Sequence, residues 1–313
     1  MPLDRSHPTP HPSRLPAFGA LVLTTALWGS NPSISRILLD AIPPMALAWG
    51  RWFVVLVAVV PMVWPERRAI VGVFRRRWKI LVLFALLAGA PQSIVIYEGL
   101  QASSAVNAGL FNSTIPILIL VLGALFWGKH IRPHEATGIA ISMAGVLVIL
   151  FQGSAAKAAA LAFNIGDLVL FGGMVLWAFY TLKLADRPRE LSAPALVAVI
   201  AFFGLVASAP LVIAEALLVH PPRLDARTTL ALVYIGLGPT LGAMLCFNYG
   251  VERVGAVRAG VLVHLMPVFA SVFAVFLLGE HFQLFHAAGF ALVAGGALVA
   301  LAAPARLLSS SPK

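Results

Sequence analysis

The chain has 313 residues, 60% of them hydrophobic and only 11% charged, with a mean hydropathy of +0.94. A soluble domain of this size needs roughly a quarter of its residues charged to solvate its surface, so most of this exterior is expected to face lipid. The net charge of +10 does not point to nucleic acid, because the basic residues fall in short segments between apolar runs and form no surface stripe.

Residues 1–15, rich in Pro and His, read as a disordered tail. Ten apolar stretches follow, each close to the ~20 residues that cross a hydrocarbon core about 30 Å thick. They lie at 16–38, 43–64, 78–99, 104–127, 133–152, 165–184, 193–218, 228–250, 256–278 and 283–303, and residues 304–313 form a second tail. The first stretch is too long for the core of a secretory signal and runs straight into Gly29-Ser30-Asn31-Pro32, so it is expected to stay uncleaved. Several connections are only a few residues long, which forces antiparallel neighbours. Cys246, the single cysteine, sits within an apolar run, so no internal disulfide is possible and neither a metal site nor a cofactor is expected.

Charge sets the direction. With the N-terminus inside, the inner loops hold Arg67, Arg68, Arg75, Arg76, Arg77 and Lys79, then Lys129, Arg132, Lys183, Arg187, Arg189, Arg253 and Arg258. The tails add Arg5, Arg14, Arg306 and Lys313, whereas the outer segments carry only Arg36, Lys157, Arg223 and Arg227. Cytoplasmic loops are enriched in Lys and Arg, so both termini are expected in the cytoplasm.

Sliding the chain on itself by 151 positions aligns 105–150 with 256–301 without a gap. Ala105, Val106, Ala108 and Gly109 meet Ala256, Val257, Ala259 and Gly260; Pro116 meets Pro267, Gly128 meets Gly279, and His130 meets His281. Gly138, Ala140 and Gly145 meet Gly289, Ala291 and Gly296. Five helices per unit is an odd number, so the second copy enters the membrane upside down. The charges agree: Lys129 lies inside and Glu280 outside, Asn107 outside and Arg258 inside. The expected fold is an all-α integral membrane protein of ten transmembrane helices in a 5+5 inverted repeat, with units 16–152 and 165–303. Such repeats recur in secondary transporters, where rocking one part against the other gives alternating access.

The segment Ala26-Leu27-Trp28-Gly29-Ser30-Asn31, with Arg51 in the second span, resembles the EamA-type permeases of the drug/metabolite transporter superfamily. So do the paired blocks of a small residue, about ten residues, Pro, then Gly with Lys or Glu, which end at Gly128-Lys129 and Gly279-Glu280. The resemblance covers the chain between its tails. It implies ten helices, a bacterial inner-membrane location and export of small metabolites such as amino acids. Lys129 departs from the Glu common in the family, so a role needing two symmetric carboxylates is not expected.

Candidate transport residues follow from polarity at depth. Pro116 and Pro267, near the middle of spans four and nine, leave the carbonyls of Asn112 and Val263 without helical partners. Freed backbone at membrane depth is tolerated in protein or beside a wet cavity. With Asn112 and Ser113 before one proline and His264 before the other, a midplane substrate site is expected there, with the two prolines as hinges; a packing kink is the alternative. Arg51 lies about 12 Å into span two, with no carboxylate at its own depth. It either attracts a substrate carboxylate, or binds helix carbonyls or Glu98 structurally. His264 is the candidate for proton antiport, since its unperturbed pKa lies near physiological pH; exchange or facilitated diffusion is the alternative. Trp28, Trp177, Tyr97, Tyr180 and Asn248 could line the pathway, with Asn31 and Gln92 as polar contacts. Pro32 is expected to break span one beside Asn31. The Gly138/Gly145 and Gly289/Gly296 pairs fit close helix packing.

The expected partners are a small-molecule substrate, with or without protons, and the lipid bilayer, in a monomer or weak homodimer. A gated channel is the nearest rival. An intramembrane enzyme is less favoured, because no acidic pair, metal motif or oriented Ser/His dyad appears at depth.

Overall fold

The structure is a computed structural model that describes residues 15–39, 41–103, 105–278 and 281–302. The two tails apart from Leu15, together with Asp40 and the Gly279-Glu280 pair, lie outside the described residues. All regular structure among the described residues is helical. Eight segments are long and apolar enough to cross a membrane.

Helix α1 (Leu15–Leu39) runs without interruption, so the break expected beside Asn31 is not formed. A chain of 59 residues, Pro44–Ala102, then counts as one apolar segment. At 1.5 Å per residue it would be ~90 Å long if straight, roughly three times the hydrocarbon thickness. It folds back on itself instead. Helix α2 (Pro44–Val63) ends in a 3₁₀ turn at Trp64–Glu66, and α3 (Arg67–Ala88) is kinked at Arg77. Gly89 is extended, and α4 (Ala90–Ala102) restarts with Pro91 in its first turn. The third span expected at 78–99 is therefore two helices with a break at its centre. Helices α2 and α3 both pack on α4.

The next span is also divided, into α5 (Ala105–Asn112) and α6 (Ile115–Trp127), and is followed by α7 (Pro133–Leu150) and a short α8 (Ala155–Ala159). Helix α9 (Ile165–Lys183) is capped by Asn164, whose side chain accepts from Asp167 N. Helix α10 (Ala193–Leu218) sends Glu215 across to the start of α2, where its carboxylate accepts from Met45 N at 2.9 Å and Ala46 N at 2.7 Å. That carboxylate satisfies two backbone donors that have no helical partner.

Helix α11 (Ala226–Ile235) begins at Asp225, whose carboxylate accepts from Thr228 N and Oγ1. Those bonds hold its acid below the usual carboxylate range. A π-helical turn over Gly236–Gly242 leads into α12 (Ala243–Val254), then α13 (Ala256–Val263), α14 (Leu265–Leu278) and α15 (Leu284–Leu301).

Packing sorts these helices into two bundles. One gathers α3, α4, α5 and α6 around α9; the other gathers α11, α12, α13 and α14 around α1. Each leading helix, α1 or α9, thus sits among helices from the opposite half of the chain. Flanking them, α2 pairs with α10 and α7 with α15. The α7–α15 seam uses the glycines as expected: a Cβ on Gly145 would lie 2.7 Å from both Gly289 O and Val293 N. Backbone that close admits nothing larger than hydrogen.

Candidate functional site

A cavity of about 960 Å³ lies between the two bundles. Its floor is formed by Trp28, Met174, Trp177 and Met244, and its mouth by Leu39, Leu100, Ser103, Gln152 and Phe285. Trp28 and Leu39 are eleven positions apart on α1, so the cavity is about 16 Å deep, or half a hydrocarbon core. This is the upper end of the ~300–1,000 Å³ typical of small-molecule sites.

The helix interruptions border it. Asn112 and Ile115 flank the break between α5 and α6; Val263, Met266 and Pro267 flank the one between α13 and α14; Pro239 and Thr240 belong to the π turn. Hydroxyls bond carbonyls beside the breaks: Ser113 Oγ donates to Gly109 O, Thr114 Oγ1 to Phe111 O and Thr240 Oγ1 to Ile235 O. The indole N–H of Trp28 donates to Pro239 O at 3.0 Å, which ties α1 to the π turn.

Of the residues singled out from the sequence, Trp28, Asn31, Arg51, Gln92, Tyr97, Asn112, Trp177 and Pro267 line the cavity. Ser113, Tyr180, Asn248 and His264 are buried beside or beneath it. Pro116, also buried, opens α6. His264 Nε2–H donates to the carbonyl of Ser113 at 2.9 Å, so the two helix breaks meet each other. These residues are 151 apart, as are Ser142 and Val293, joined by a second hydrogen bond of 3.4 Å in the α7–α15 seam.

Arg51 reaches neither Glu98 nor a helix carbonyl. Its guanidinium donates to Tyr97 OH at 3.1 Å and Ser93 Oγ at 2.9 Å, and lies 5.4 Å from the Tyr97 ring centre. Ser93 Oγ also accepts from Trp52 Nε1 and donates to Gly89 O, so its bonding capacity is filled. Gln92 Nε2 donates to Gly173 O.

Beneath the floor the packing is aromatic. Trp28, Trp177 and Phe247 contact one another with ring centres 5.3–5.4 Å apart, and Tyr180 adjoins Trp177 at 5.1 Å. Tyr180 OH donates to Asn248 Oδ1 at 2.7 Å. One turn further, Arg187 and Glu252 form an ion pair, and Arg187 also donates to Leu191 O. The Tyr180–Asn248 bond and the Arg187–Glu252 pair both run between the α9 and α12 sides of the cavity. Nothing in sequence spacing marks Arg187 and Glu252 as partners; their placement in loops at the same membrane face was the one available signal.

Apolar helices wrapped around a mostly apolar cavity of this size, with a few polar groups in its wall, define a multi-pass membrane protein with room for a small molecule within its span. The model of the EamA-like transporter family matches the chain twice, over residues 16–151 and 164–302. The chain belongs to that family, within the drug/metabolite transporter superfamily, and is a transporter. Among similar proteins, the uncharacterized transporter YetK of Bacillus subtilis (strain 168) is 23% identical over 286 residues, covering 90% of this chain and 86% of that protein. A probable terminal-alkyne amino-acid exporter of Streptantibioticus cattleyicolor is 27% identical over 268 residues, covering 84% and 86%. A solved crystal structure superposes with a TM-score of 0.72 at 22% identity, covering 92% of this chain and 97% of that one, which shows the shared fold.

Proposed function

We propose that the chain is a secondary transporter of the bacterial inner membrane that exports small metabolites, amino acids or their relatives, by alternating access. The observation that carries this reading is the cavity itself, open at the Leu39 end and sealed at the Leu15 end by the aromatic floor, Tyr180–Asn248 and Arg187–Glu252. A seal of that thickness favours a carrier over a channel.

In this reading the fold is ten spans in two inverted units, 16–152 and 165–303. The 59-residue segment supplies two crossings and α1 a further one. The double family match and the two hydrogen bonds between residues 151 apart support the repeat, since equivalent positions touch only beside a pseudo-two-fold axis. With both termini cytoplasmic, the cavity faces outward, and substrate contacts Trp28, Asn31, Arg51, Gln92, Tyr97, Asn112 and Trp177. The Ser113–His264 contact acts as the pivot, and Pro116 and Pro267 keep the adjoining helices broken. Closing the Leu39 end while parting α9 from α12 exposes the same residues to the cytoplasm. The amino-acid part draws on the exporter from Streptantibioticus cattleyicolor.

The test is a resistance screen with toxic amino acids and analogues in an overexpressing strain, followed by counterflow in proteoliposomes. Saturable counterflow of a compound that the strain tolerates supports the carrier. Large single-channel currents with no saturation overturn it.

A further inference from the structure

The charge on the cavity's lining is of one sign. Arg51 is its one permanent cation, and no Asp or Glu stands among the described lining residues. Neither hydroxyl that holds the guanidinium is charged, so the cation is placed and not neutralised. Its Nε–H has no partner, and neither has the indole N–H of Trp177.

The hydrogen bonds around Arg51 are directional. Ser35 Oγ donates to Asn31 Oδ1, so its single proton is spent there. At the 3.4 Å contact between Ser35 and Tyr97 the tyrosine must then donate, which leaves its oxygen to accept from Arg51. The chain Arg51, Tyr97, Ser35, Asn31 ends on the Asn31 carbonyl and leaves the NH₂ of that lining residue to donate. At the mouth, Gln152 Oε1 accepts from Lys157 Nζ and its NH₂ is left to donate. His286 Nδ1 accepts from Gln283 N, which puts the proton of the neutral ring on Nε2.

We infer that the cavity selects a carboxylate carried on an aromatic or apolar body, with the anion at Arg51, Asn31 and the Trp177 N–H and the body against Trp28 and Trp177. An uncompensated cation at membrane depth is costly, and an anionic ligand offsets that cost when it binds. An ammonium group finds no carboxylate to meet it. The inference rests on the export reading above and narrows it: the carboxylate of an amino acid is what the site reads, and its amino group is dispensable.

The test uses the whole chain in nanodiscs and three ligands of one shape: 3-phenylpropionate, 3-phenylpropionamide and 3-phenylpropylamine. Calorimetry is expected to give an affinity for the carboxylate at least about tenfold above the amide and the amine. Arg51→Gln is expected to abolish that preference, whereas Arg51→Lys keeps part of it. Should Arg51→Gln fail to fold, Trp177→Phe retains the ring and removes one donor, and is expected to weaken the carboxylate several-fold while leaving the amide unchanged. Equal or tighter binding of the amine, an undiminished preference in Arg51→Gln, or binding of none of the three overturns the inference. Counterflow of labelled phenylalanine separates it from the transport reading. Carboxylate preference without counterflow removes the carrier and keeps the anion site; counterflow inhibited equally by all three ligands keeps the carrier and removes the anion site.

Discussion

Loosening the seal at the Leu15 end should tilt the protein toward the opposite state. Arg187 and Glu252 are 11% and 17% exposed, so their pair is largely removed from water. Deleting one partner of a fully buried pair costs ~3–5 kcal/mol, and the residual exposure brings this to about 2 kcal/mol. Because the pair joins the α9 and α12 sides only while that end is closed, Glu252→Gln should raise the open fraction there roughly 30-fold. The assay is the rate of labelling by a membrane-impermeant maleimide at Val251→Cys in a Cys246→Ala background. Val251 lies one residue from Glu252 and is buried in the closed seal. Glu252→Gln should accelerate labelling by about the same factor, and the charge-swapped double variant Arg187→Glu/Glu252→Arg should bring it back toward the reference. A rate unchanged within about twofold in folded protein would refute the assignment of this pair as a latch.

Four further outcomes are expected. Gly145→Leu forces a side chain against backbone at 2.7 Å in the α7–α15 seam and should cost up to ~3 kcal/mol in SDS unfolding. Gly295→Ala, which meets nothing within 4 Å, should stay within about 0.5 kcal/mol. Glu215→Ala leaves the amides of Met45 and Ala46 unpaired and should lower stability by about 1 kcal/mol, with Glu215→Gln recovering most of it. His264→Gln should leave the pH dependence of vesicle uptake unchanged, because the imidazole N–H is already given to Ser113 O and the ring does not line the cavity. A shifted pH profile would instead make His264 the coupling site.

The sequence told more about where helices break than about which side chains meet. Pro116 and Pro267 mark the interruptions in α5–α6 and α13–α14, where the hydroxyls of Ser113 and Thr114 bond neighbouring carbonyls and the imidazole of His264 braces Ser113 O. Proline alone is a weaker signal. Helices α2 and α10 continue through Pro61 and Pro210, and α1 continues past position 32. The break at Gly89 and the π turn at Gly236–Gly242 fall at Gly89-Ala90-Pro91 and Gly238-Pro239, outside the expected interruptions. Both hide inside stretches apolar enough to read as continuous spans.

Side-chain partners were harder to read. Tyr180 and Asn248 look like cavity residues by polarity at depth, yet the Tyr180 hydroxyl donates to Asn248 Oδ1 below the floor, 68 positions away. Ser93 carried no signal of its own, and it became essential only once Arg51 and Trp52 were seen to converge on it. What pairs with what depends on which faces the bundles turn inward, and periodicity in an all-apolar helix leaves that undetermined.

In the proposed cycle the two bundles rock about the Ser113–His264 contact, so that one mouth opens as the other shuts. Pulsed EPR distances in a Cys246→Ala background test it directly, with spin labels across the Leu39 end at Leu39 and Gln101, and across the Leu15 end at Ala185 and Arg253. The account predicts two populations in which a long distance at one end accompanies a short distance at the other, with Glu252→Gln shifting weight toward the state open at Ala185–Arg253. Distances that stay single at both ends, or lengthen together, would contradict it.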